Sequence, residues 1–445
     1  FWLQYQLWGD SSTVPYHVVN VLFHAANACL LAWLLLRLPL TSGPPAANRR
    51  LAWVAALLFA IHPVAVESVA WITELKNTLS TFFYLGAAIV YWSWRTRPSL
   101  GKYGLAGGLF LLALGAKTMT VTLPAALLVV IWWREGTLRW KQDWRPLLPW
   151  FGAALAAGLI TNYVESSWVG AAVVVDEITP GQHVMLAARI FWASLGNLIW
   201  PVELTFFYER WDVSAQASSW WPFLLLGFIV TGALWGLRKK SRGPLAAWLI
   251  YAGTLFPVLG FFKVYSFAFA FIADHYQYMA IPVFCAAVTA GINFIAQRVP
   301  RMVSIGVGGA TALLLATLSF GHAQNYRDNE TLFRDNIQDN PSSWMGHHIL
   351  AHTVNQKGPE FREEAKALYR RAVELNPRNA DSHQKLGLML SEEPGGSDTA
   401  VAHYREALRI RPNFPEALNG LAIELMMNDA TRPEAIEYFQ KATEL

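Results

Sequence analysis

Eleven apolar stretches, each 14 to 23 residues long, occupy most of the first 325 residues of this chain. They are 16–38, 51–66, 75–94, 103–117, 120–133, 147–163, 185–202, 220–237, 244–262, 278–296 and 302–321. A helix needs about 20 apolar residues to cross the hydrocarbon core of a bilayer. The sequence therefore predicts an all-α fold that begins with a polytopic helical membrane bundle.

Charge separates this bundle from the rest of the chain. The first 325 residues carry 33 charged side chains, and the last 120 residues carry another 33. Only the second region has enough charge to form a polar surface of its own. We therefore predict a multi-span membrane domain over 1–325 and a water-exposed domain over 326–445. This apolar composition and uneven charge exclude a single soluble enzyme and a disordered chain. The two cysteines lie in apolar runs, so a disulfide scaffold is excluded as well.

Basic residues indicate how the bundle is oriented. Sixteen of its 21 Lys and Arg residues fall into five clusters: Arg37/Arg49/Arg50, Arg95/Arg97/Lys102, Arg134/Arg139/Lys141/Arg145, Arg238/Lys239/Lys240/Arg242 and Arg298/Arg301. The positive-inside rule places all five clusters in the cytoplasm. If 185–202 does not cross fully, ten crossings follow, with the tail outside. The tail is acidic, so a nucleic-acid partner is not expected.

Most carboxylates of the bundle then lie on the outer side. Only Glu135 and Asp143, of 12 Asp and Glu residues, fall on the cytoplasmic side. The five cations outside the clusters are also on the outer side: Lys76, Lys117, Arg189, Arg210 and Lys263. Ionisable groups at membrane depth are costly and are usually paired or functional. We therefore expect any chemistry to face outward.

A helical repeat follows residue 325. Ala365, Ala400 and Ala435 are spaced by 35 residues, as are Pro377 and Pro412. Small Ala residues let paired helices approach closely, and a Tyr or Phe four residues after each Ala fills the adjacent groove. The spacing is typical of the tetratricopeptide repeat, whose period is 34 residues. We predict an α-helical solenoid of about three repeats, and we expect it to continue beyond Leu445.

Several motifs resemble one family over essentially the whole chain. They are PYHVVNVLFHAANACLLAWLL at 15–35, LFAIHPVAVESVAWITELKNTLSTFF at 58–83, AKTMTVTLP at 116–124, ADHYQYMAIP at 273–282 and YRDNETLFRDNIQDNPSS at 326–343. Together they resemble the transmembrane, tetratricopeptide-repeat-containing O-mannosyltransferases and their bacterial relatives. That family is similar to the GT-C class of glycosyltransferases.

The resemblance implies an activity. A hexose, mannose in this family, would move from a polyprenyl-phosphate carrier to a Ser or Thr hydroxyl of an extracytoplasmic protein. The implied partners are the lipid-linked donor, an acceptor polypeptide that the repeats could bind, and the membrane. No cofactor is implied, and the implied location is a bacterial inner membrane with the repeats on the extracytoplasmic side. The family carries one further span and an outer loop with an acidic pair, so we expect truncation before Phe1 and the main base upstream.

Glu67 and Asp274 are the candidate catalytic carboxylates of this chain. Glu67 follows His62 and Pro63 at the outer end of a span, and a short helix would place it on one face with Trp71. It could take a proton from an acceptor hydroxyl or hold a partner cation. A polar cluster at a helix end, reaching towards water, explains the same residues equally well.

Four side chains are candidates for the lipid phosphate. These are Lys117, Arg189, Arg210 and His275. A fixed cation would stabilise the charge that develops on a phosphate leaving group. His275 stands where the related sequences more often have Arg, and a histidine is only partly charged at neutral pH. An interfacial anchor or an intramembrane ion pair is the alternative for all four.

Aromatic and histidine side chains beside these charges are candidates for sugar or acceptor contacts. They are His62, Tyr208 and Tyr276, which plain interfacial packing would also explain. No spacing of His, Cys, Asp or Glu predicts a metal site, so none is expected. Two other functions remain open: a non-catalytic membrane scaffold that assembles partners on its repeats, and a polyprenyl-linked transferase that acts on a glycan or a lipid.

Overall fold

A computed structural model describes residues 2–169, 178–262 and 264–445 of the chain. Lys263, Asp176 and Glu177, which the sequence places on the outer side, lie outside the described residues. The chain divides into two compact units. The first contains residues 1–204 and 210–326, and the second contains residues 205–209 and 327–445. The described residues form helices and turns without strands, which confirms the all-α fold.

Fourteen α-helices make up the described part of the first unit. They are α1 (Trp2–Trp8), α2 (Val14–Arg37), α3 (Pro45–Ala60), α4 (Val66–Ala70), α5 (Leu75–Thr96), α6 (Leu100–Ala116), α7 (Leu123–Glu135), α8 (Leu148–Val164), α9 (Pro180–Ile199), α10 (Val213–Gln216), α11 (Trp221–Leu237), α12 (Gly243–Leu255), α13 (Ile281–Ala296) and α14 (Arg301–Asn325). Short 3₁₀ turns at Ile72–Glu74, Thr118–Thr122 and Asp274–Tyr276 interrupt them. The core forms where α2 packs on α3 and α5, α5 on α6, and α13 on α3.

Local sequence explains where several of these helices begin and end. Proline occupies the first turn of α2, α3, α7, α8, α9, α11, α12 and α13, where its missing N–H costs no hydrogen bond. At α9, Thr179 and Gln182 form a capping box. Helix α7 ends at Gly136, which has φ +83°, a conformation that favours glycine.

Helix length supports a membrane location. Among the described residues, four helical segments are long and apolar enough to cross a bilayer: Val14–Arg37, Trp140–Trp168, Val213–Leu237 and Arg301–Asn325. A bent pair, Pro45–Ala60 and Pro63–Ala70, passes as a fifth and bends by 56°. Other predicted spans fall on shorter apolar helices at Leu100–Ala116, Gly243–Val258 and Ile281–Ala296. The count of ten crossings stays a prediction.

The second unit is a helical repeat array. Its helices are α15 (Asn329–Asp339), α16 (Trp344–Asn355), α17 (Arg362–Leu375), α18 (Ala380–Ser391), α19 (Ser397–Ile410), α20 (Pro415–Met426) and α21 (Arg432–Thr443). Each of α16, α18 and α20 packs on the helix that follows it. The alanines at positions 365, 400 and 435 are fully buried. A Cβ on Gly420 would lie 2.5 Å from the buried Tyr404 ring, so the helix pair needs glycine there. The predicted repeat packing is confirmed.

A five-residue segment, Thr205–Glu209, also belongs to the repeat unit. The Nδ2 of Asn336 donates to Thr205 Oγ1 at 2.8 Å and to the Phe207 carbonyl at 3.0 Å. The Nδ2 of Asn340 donates to the same carbonyl at 2.9 Å. The Phe207 ring stacks on Phe333, with centroids 6.1 Å apart. Helix α15 therefore binds Thr205–Glu209 through both backbone and side chains.

Candidate functional site

Candidate residues from four separate segments of the first unit meet in one polar cluster. Glu67 lies on α4, and Glu74 lies in the turn that precedes α5. Lys117 follows the last residue of α6, and His275 lies in the turn at Asp274–Tyr276. We call these residues, with Asn77 of α5, the outer cluster. The structure thus brings together Glu67, Lys117 and His275, which the sequence could only group by predicted side.

Glu67 contacts His275 at two points. Its Oε1 lies 2.9 Å from His275 Nδ1, and its Oε2 accepts the His275 backbone N–H at 2.7 Å. Trp71 packs edge-on against the imidazole, with centroids 5.7 Å apart. Glu67 and Trp71 thus both contact the same histidine, although the helix ends at Ala70 and Trp71 follows it in an extended conformation. Only 1% of the Glu67 side chain is exposed, against 14% of His275, so the carboxylate orients a more accessible imidazole.

Asn77 connects the rest of the outer cluster. Its Nδ2 lies 2.6 Å from Glu74 Oε2, 3.0 Å from Ser68 Oγ and 2.9 Å from the His275 carbonyl oxygen. Its Oδ1 accepts a hydrogen bond from the Lys117 ammonium. Because an ammonium can only donate, this contact fixes which end of the amide faces Lys117. Sequence reasoning missed Asn77, although a polar amide at the start of an apolar run was a signal for it.

Glu74 lies between two lysines. Its Oε1 is 2.9 Å from Lys76 Nζ, and its Oε2 is 3.7 Å from Lys117 Nζ. Glu74 is fully buried, and 13% of the Lys117 side chain is exposed. One interpretation of the sequence was an intramembrane ion pair between Lys117 and an outer carboxylate such as Glu67. The structure gives Lys117 the neighbouring carboxylate, Glu74, and pairs Glu67 with His275.

Arg189 and Arg210 both pack against aromatic rings, and Arg210 lies in the wall of a separate cavity of the first unit. The Arg189 guanidinium packs 5.0 Å from the Trp211 ring centroid, and Arg210 packs 5.2 Å from that of Phe271. Arg210 also donates from Nε to the Phe267 carbonyl at 2.9 Å. The cavity has a volume of about 300 Å³, and Arg210, Trp211 and Phe271 contribute to its wall. Its wall combines a cation, Arg210, and a carboxylate, Asp212, with aromatic faces.

The remaining predicted site residues are placed as follows. His62 lies at the bend after α3, with its Nε2 3.1 Å from the Leu198 carbonyl oxygen. Asp274 is buried, and Asn197 Nδ2 lies 3.4 Å from its Oδ1. The Tyr276 hydroxyl contacts Ser266 Oγ. Tyr208 belongs to the repeat unit. His62 and Asp274 are thus attached to the end of α9.

A row of buried polar side chains on α2 supports the outer cluster, and sequence reasoning did not single it out. Asn20, His24 and Asn27 recur at helical spacing along one face. Asn20 Nδ2 lies 3.3 Å from the Trp71 carbonyl oxygen. The Tyr278 hydroxyl lies 2.7 Å from His24 Nδ1 and 3.2 Å from Asn27 Nδ2. Such hydrogen bonds between membrane helices contribute about 1 kcal/mol each, and they tie α2 to the segments that carry Trp71 and His275.

A second group of ion pairs joins residues that the positive-inside rule assigns to the cytoplasm. Arg95 contacts Glu135 and Asp143, in both cases at 2.6 Å. Arg139 contacts the other oxygen of Glu135 at 2.5 Å. These four residues and the outer cluster belong to opposite predicted sides of the membrane. The two partners of each of these ion pairs belong to the same predicted side. Among the described residues, no group of three or more His, Cys, Asp or Glu side chains is arranged to hold a metal ion.

Two curated proteins are similar to most of this chain. Protein O-mannosyl-transferase F38B6.6 of Caenorhabditis elegans is 23% identical over 391 residues, which cover 85% of this chain and 53% of the relative. Protein O-mannosyl-transferase TMTC1 of Homo sapiens is 23% identical over 429 residues, which cover 84% and 47%. No protein-family model matches the chain. The resemblance seen in the motifs is confirmed by these relatives, and the chain spans about half of their length.

Among solved structures, a crystal structure of MamA is 24% identical and covers 34% of this chain and 83% of its own. A second MamA crystal structure is 21% identical, with coverages of 32% and 84%. Their TM-scores are 0.23 and 0.24, which are too low for a comparison of folds.

Proposed function

We propose that this chain is part of a membrane glycosyltransferase that takes a hexose, mannose by resemblance, from a polyprenyl-phosphate donor. The acceptor is a Ser or Thr hydroxyl of a protein on the extracytoplasmic side. The observation that carries the proposal is the outer cluster, in which Glu67, Lys117 and His275 meet from separate segments. The names of both curated relatives support the same class of reaction.

The reaction needs a proton acceptor and a stabilised leaving group. The acceptor hydroxyl oxygen bonds to the anomeric carbon of the hexose, and the bond from that carbon to the phosphate oxygen breaks. The lipid phosphate leaves with the electron pair of that bond. The hydroxyl proton passes to a carboxylate, for which Glu67 and Asp274 are the candidates in this chain.

Two groups of cations are available for the lipid phosphate. One consists of Lys117 and His275 in the outer cluster, where Lys117 lies 3.7 Å from Glu74 and His275 lies 2.9 Å from Glu67. The other consists of Arg189 and Arg210, which both pack on aromatic rings, with Arg210 in the wall of the cavity. We propose that the aromatic cavity accommodates the first part of the lipid and that Lys117 and His275 contact the phosphate as it leaves. His62 and Tyr276 would then contact the sugar or the acceptor.

The repeat unit is proposed to bind the acceptor polypeptide. His352, Leu388 and Ile423 lie on α16, α18 and α20 at intervals of 36 and 35 residues, and all three are exposed. Residues at equivalent positions of successive repeats form a continuous stripe on a solenoid surface. An extended polypeptide could lie along this stripe. Tyr208 is in this unit as well, so its proposed contact is with the acceptor.

Purified protein in liposomes tests the proposal directly. We expect it to transfer labelled mannose from polyprenyl-phosphate mannose to a Ser/Thr-rich peptide, and Glu67→Gln to reduce the rate by ~10²-fold or more. Lys102→Ala, on the predicted cytoplasmic side, serves as the matched control. Transfer to lipid or glycan but not to peptide would favour the alternative acceptor class. Absence of transfer with intact peptide binding would favour the non-catalytic scaffold.

A further inference from the structure

We propose that Asn77 is a positioning residue that keeps Lys117 available for the donor phosphate by separating it from Glu74. This inference rests on the proposed function. The sequence pattern alone does not single out Asn77. The observation behind it is the order of groups: Glu74, then the amide of Asn77, then the ammonium of Lys117.

The distances show that the amide is interposed. An ammonium paired directly with a carboxylate lies about 2.7–2.9 Å from the nearest oxygen. Lys117 Nζ is 3.7 Å from Glu74 Oε2, whereas Asn77 Nδ2 is 2.6 Å from that same oxygen. The amide therefore occupies the carboxylate oxygen that faces Lys117. Lys117 donates instead to the amide oxygen, a neutral acceptor.

This arrangement leaves N–H groups of the Lys117 ammonium available to bind an anion. An ammonium has three N–H groups, and Asn77 Oδ1 is the acceptor that Lys117 contacts within hydrogen-bond distance among the described residues. The side chain is 13% exposed, so the other N–H groups can reach an anion in the site. A hydrogen-bonded contact with Glu74, shorter than the observed 3.7 Å, would take up one of these N–H groups and weaken the stabilisation of the phosphate.

Asn77 also fixes what surrounds the lysine. Its NH₂ group has two hydrogens and three acceptors within reach: Ser68 on α4, Glu74 before α5, and the carbonyl of His275. The side chain is 1% exposed. These contacts leave the amide one orientation, with oxygen towards Lys117. The position of the ammonium is therefore set from α4, α5 and the turn at Asp274–Tyr276 together.

Three variants test the proposal in liposomes that hold the protein and polyprenyl-phosphate mannose. Asn77→Asp has nearly the same shape but adds a carboxylate beside Lys117, and we expect a ~10²-fold loss of kcat/KM. Asn77→Ala lets Lys117 close on Glu74, with a similar loss. The decisive variant is Asn77→Ala combined with Glu74→Gln, because the competing charge is then gone. We expect it to regain at least ~10-fold over Asn77→Ala.

Several outcomes would overturn the inference. One is an Asn77→Asp protein with wild-type kcat/KM. Another is a double variant no better than Asn77→Ala, which would indicate a purely structural role. Asn293→Ala on α13 is the matched control for handling and insertion. Binding of undecaprenyl phosphate is measured in parallel. A wild-type protein that shows no transfer would reject the proposed function. Equal binding of undecaprenyl phosphate by the wild type and by Asn77→Asp would reject this inference.

Discussion

Glu67 holds His275 by both of its oxygens, one on the imidazole Nδ1 at 2.9 Å and one on the backbone N–H at 2.7 Å. The contact joins residues 208 positions apart in the chain. It fixes the backbone turn and the ring together, so the face of the imidazole that remains accessible is determined by a buried carboxylate. The role of His275 can therefore be tested without moving its backbone.

Replacing His275 separates a cationic role from a proton-accepting role. If His275 contacts the leaving phosphate, His275→Arg supplies a permanent cation and should keep transfer within ~10-fold of wild type. His275→Ala should lose ~10²-fold, as expected for one transition-state donor. The measurement is kcat for mannose transfer in liposomes, with His17→Gln on α2 as the control. Loss of activity in His275→Arg equal to that in His275→Ala would contradict the phosphate role.

Replacing Lys117 should affect turnover more than folding. In Lys117→Ala, Glu74 keeps its contact with Lys76 and with Asn77, so no buried charge is left without a partner. We expect normal expression and insertion and a ~10²-fold drop in transfer, equivalent to about 3 kcal/mol of transition-state stabilisation.

A structural ion pair between Lys117 and Glu74 would give a different pattern. Lys117→Ala and Glu74→Gln would then both express poorly, and the double variant would recover. Wild-type transfer by Lys117→Ala would shift the phosphate role to Arg189 or Arg210.

Accessibility labelling tests the predicted sides of the membrane. Cysteines introduced at Ser241 and Ser342, in a background without Cys29 and Cys285, should react with impermeant reagents from opposite sides. Both serines are in exposed positions, so burial will not block the reaction. Labelling of both positions from one side would refute the ten-crossing arrangement and the outward-facing chemistry.

Acid should destabilise the repeat unit before its carboxylates protonate. Burial lowers the pKa of His347, His383 and His403 below the ordinary value of 6.5. The unfolded chain therefore binds more protons than the folded one below about pH 6.5, and the free energy of unfolding falls as the pH is lowered. Urea unfolding of residues 326–445, followed by circular dichroism, should show a mainly helical fragment with a lower midpoint at pH 5.5 than at pH 7.5.

The histidine pair provides the control for this pH effect. His383 Nδ1 and His403 Nδ1 are 3.0 Å apart, and His383 Nε2 lies 3.2 Å from the Pro377 carbonyl oxygen. A neutral pair shares one proton between the facing nitrogens, whereas two protonated rings repel. His403→Gln should therefore flatten the dependence on pH. An unfolding midpoint that rises from pH 7.5 to pH 5.5 would show that other groups dominate.

The segment Thr205–Glu209 should bind to the isolated repeat array as a peptide ligand. A peptide containing residues 203–211 should bind to the fragment 326–445, because Asn336 and Asn340 donate to its backbone. Asn336→Ala removes the donor of two hydrogen bonds, one of them to Thr205, and should weaken binding by ~10-fold or more, since each bond contributes about 1 kcal/mol. Calorimetric titration measures this, with Asn355→Ala as the control. Equal affinity of both variants would contradict the role of Asn336.

The sequence predicted the broad architecture because composition and periodicity act locally. The 35-residue spacing of Ala365 and Ala400 identifies a repeat, since each repeat packs only on its neighbours. Contacts between residues far apart in the chain leave no comparable periodic pattern in the sequence. That Asn77 would meet Lys117, or that Asn336 would hold Phe207, depends on how distant segments pack. Polar residues inside apolar runs were the available hint, because a buried amide needs partners.

The segment at Thr205–Glu209 makes the repeat unit discontinuous along the chain. A chimera joined at a single point after residue 326 would transplant α15 without Thr205–Glu209, the segment that the asparagines of α15 bind. Phe333 would then lose its stacking contact with Phe207, and the amides of Asn336 and Asn340 would lose the Phe207 carbonyl. Exchange of repeat units between relatives therefore requires two exchanged pieces, the array and the matching segment at Thr205–Glu209, and sequence changes in either piece constrain the other.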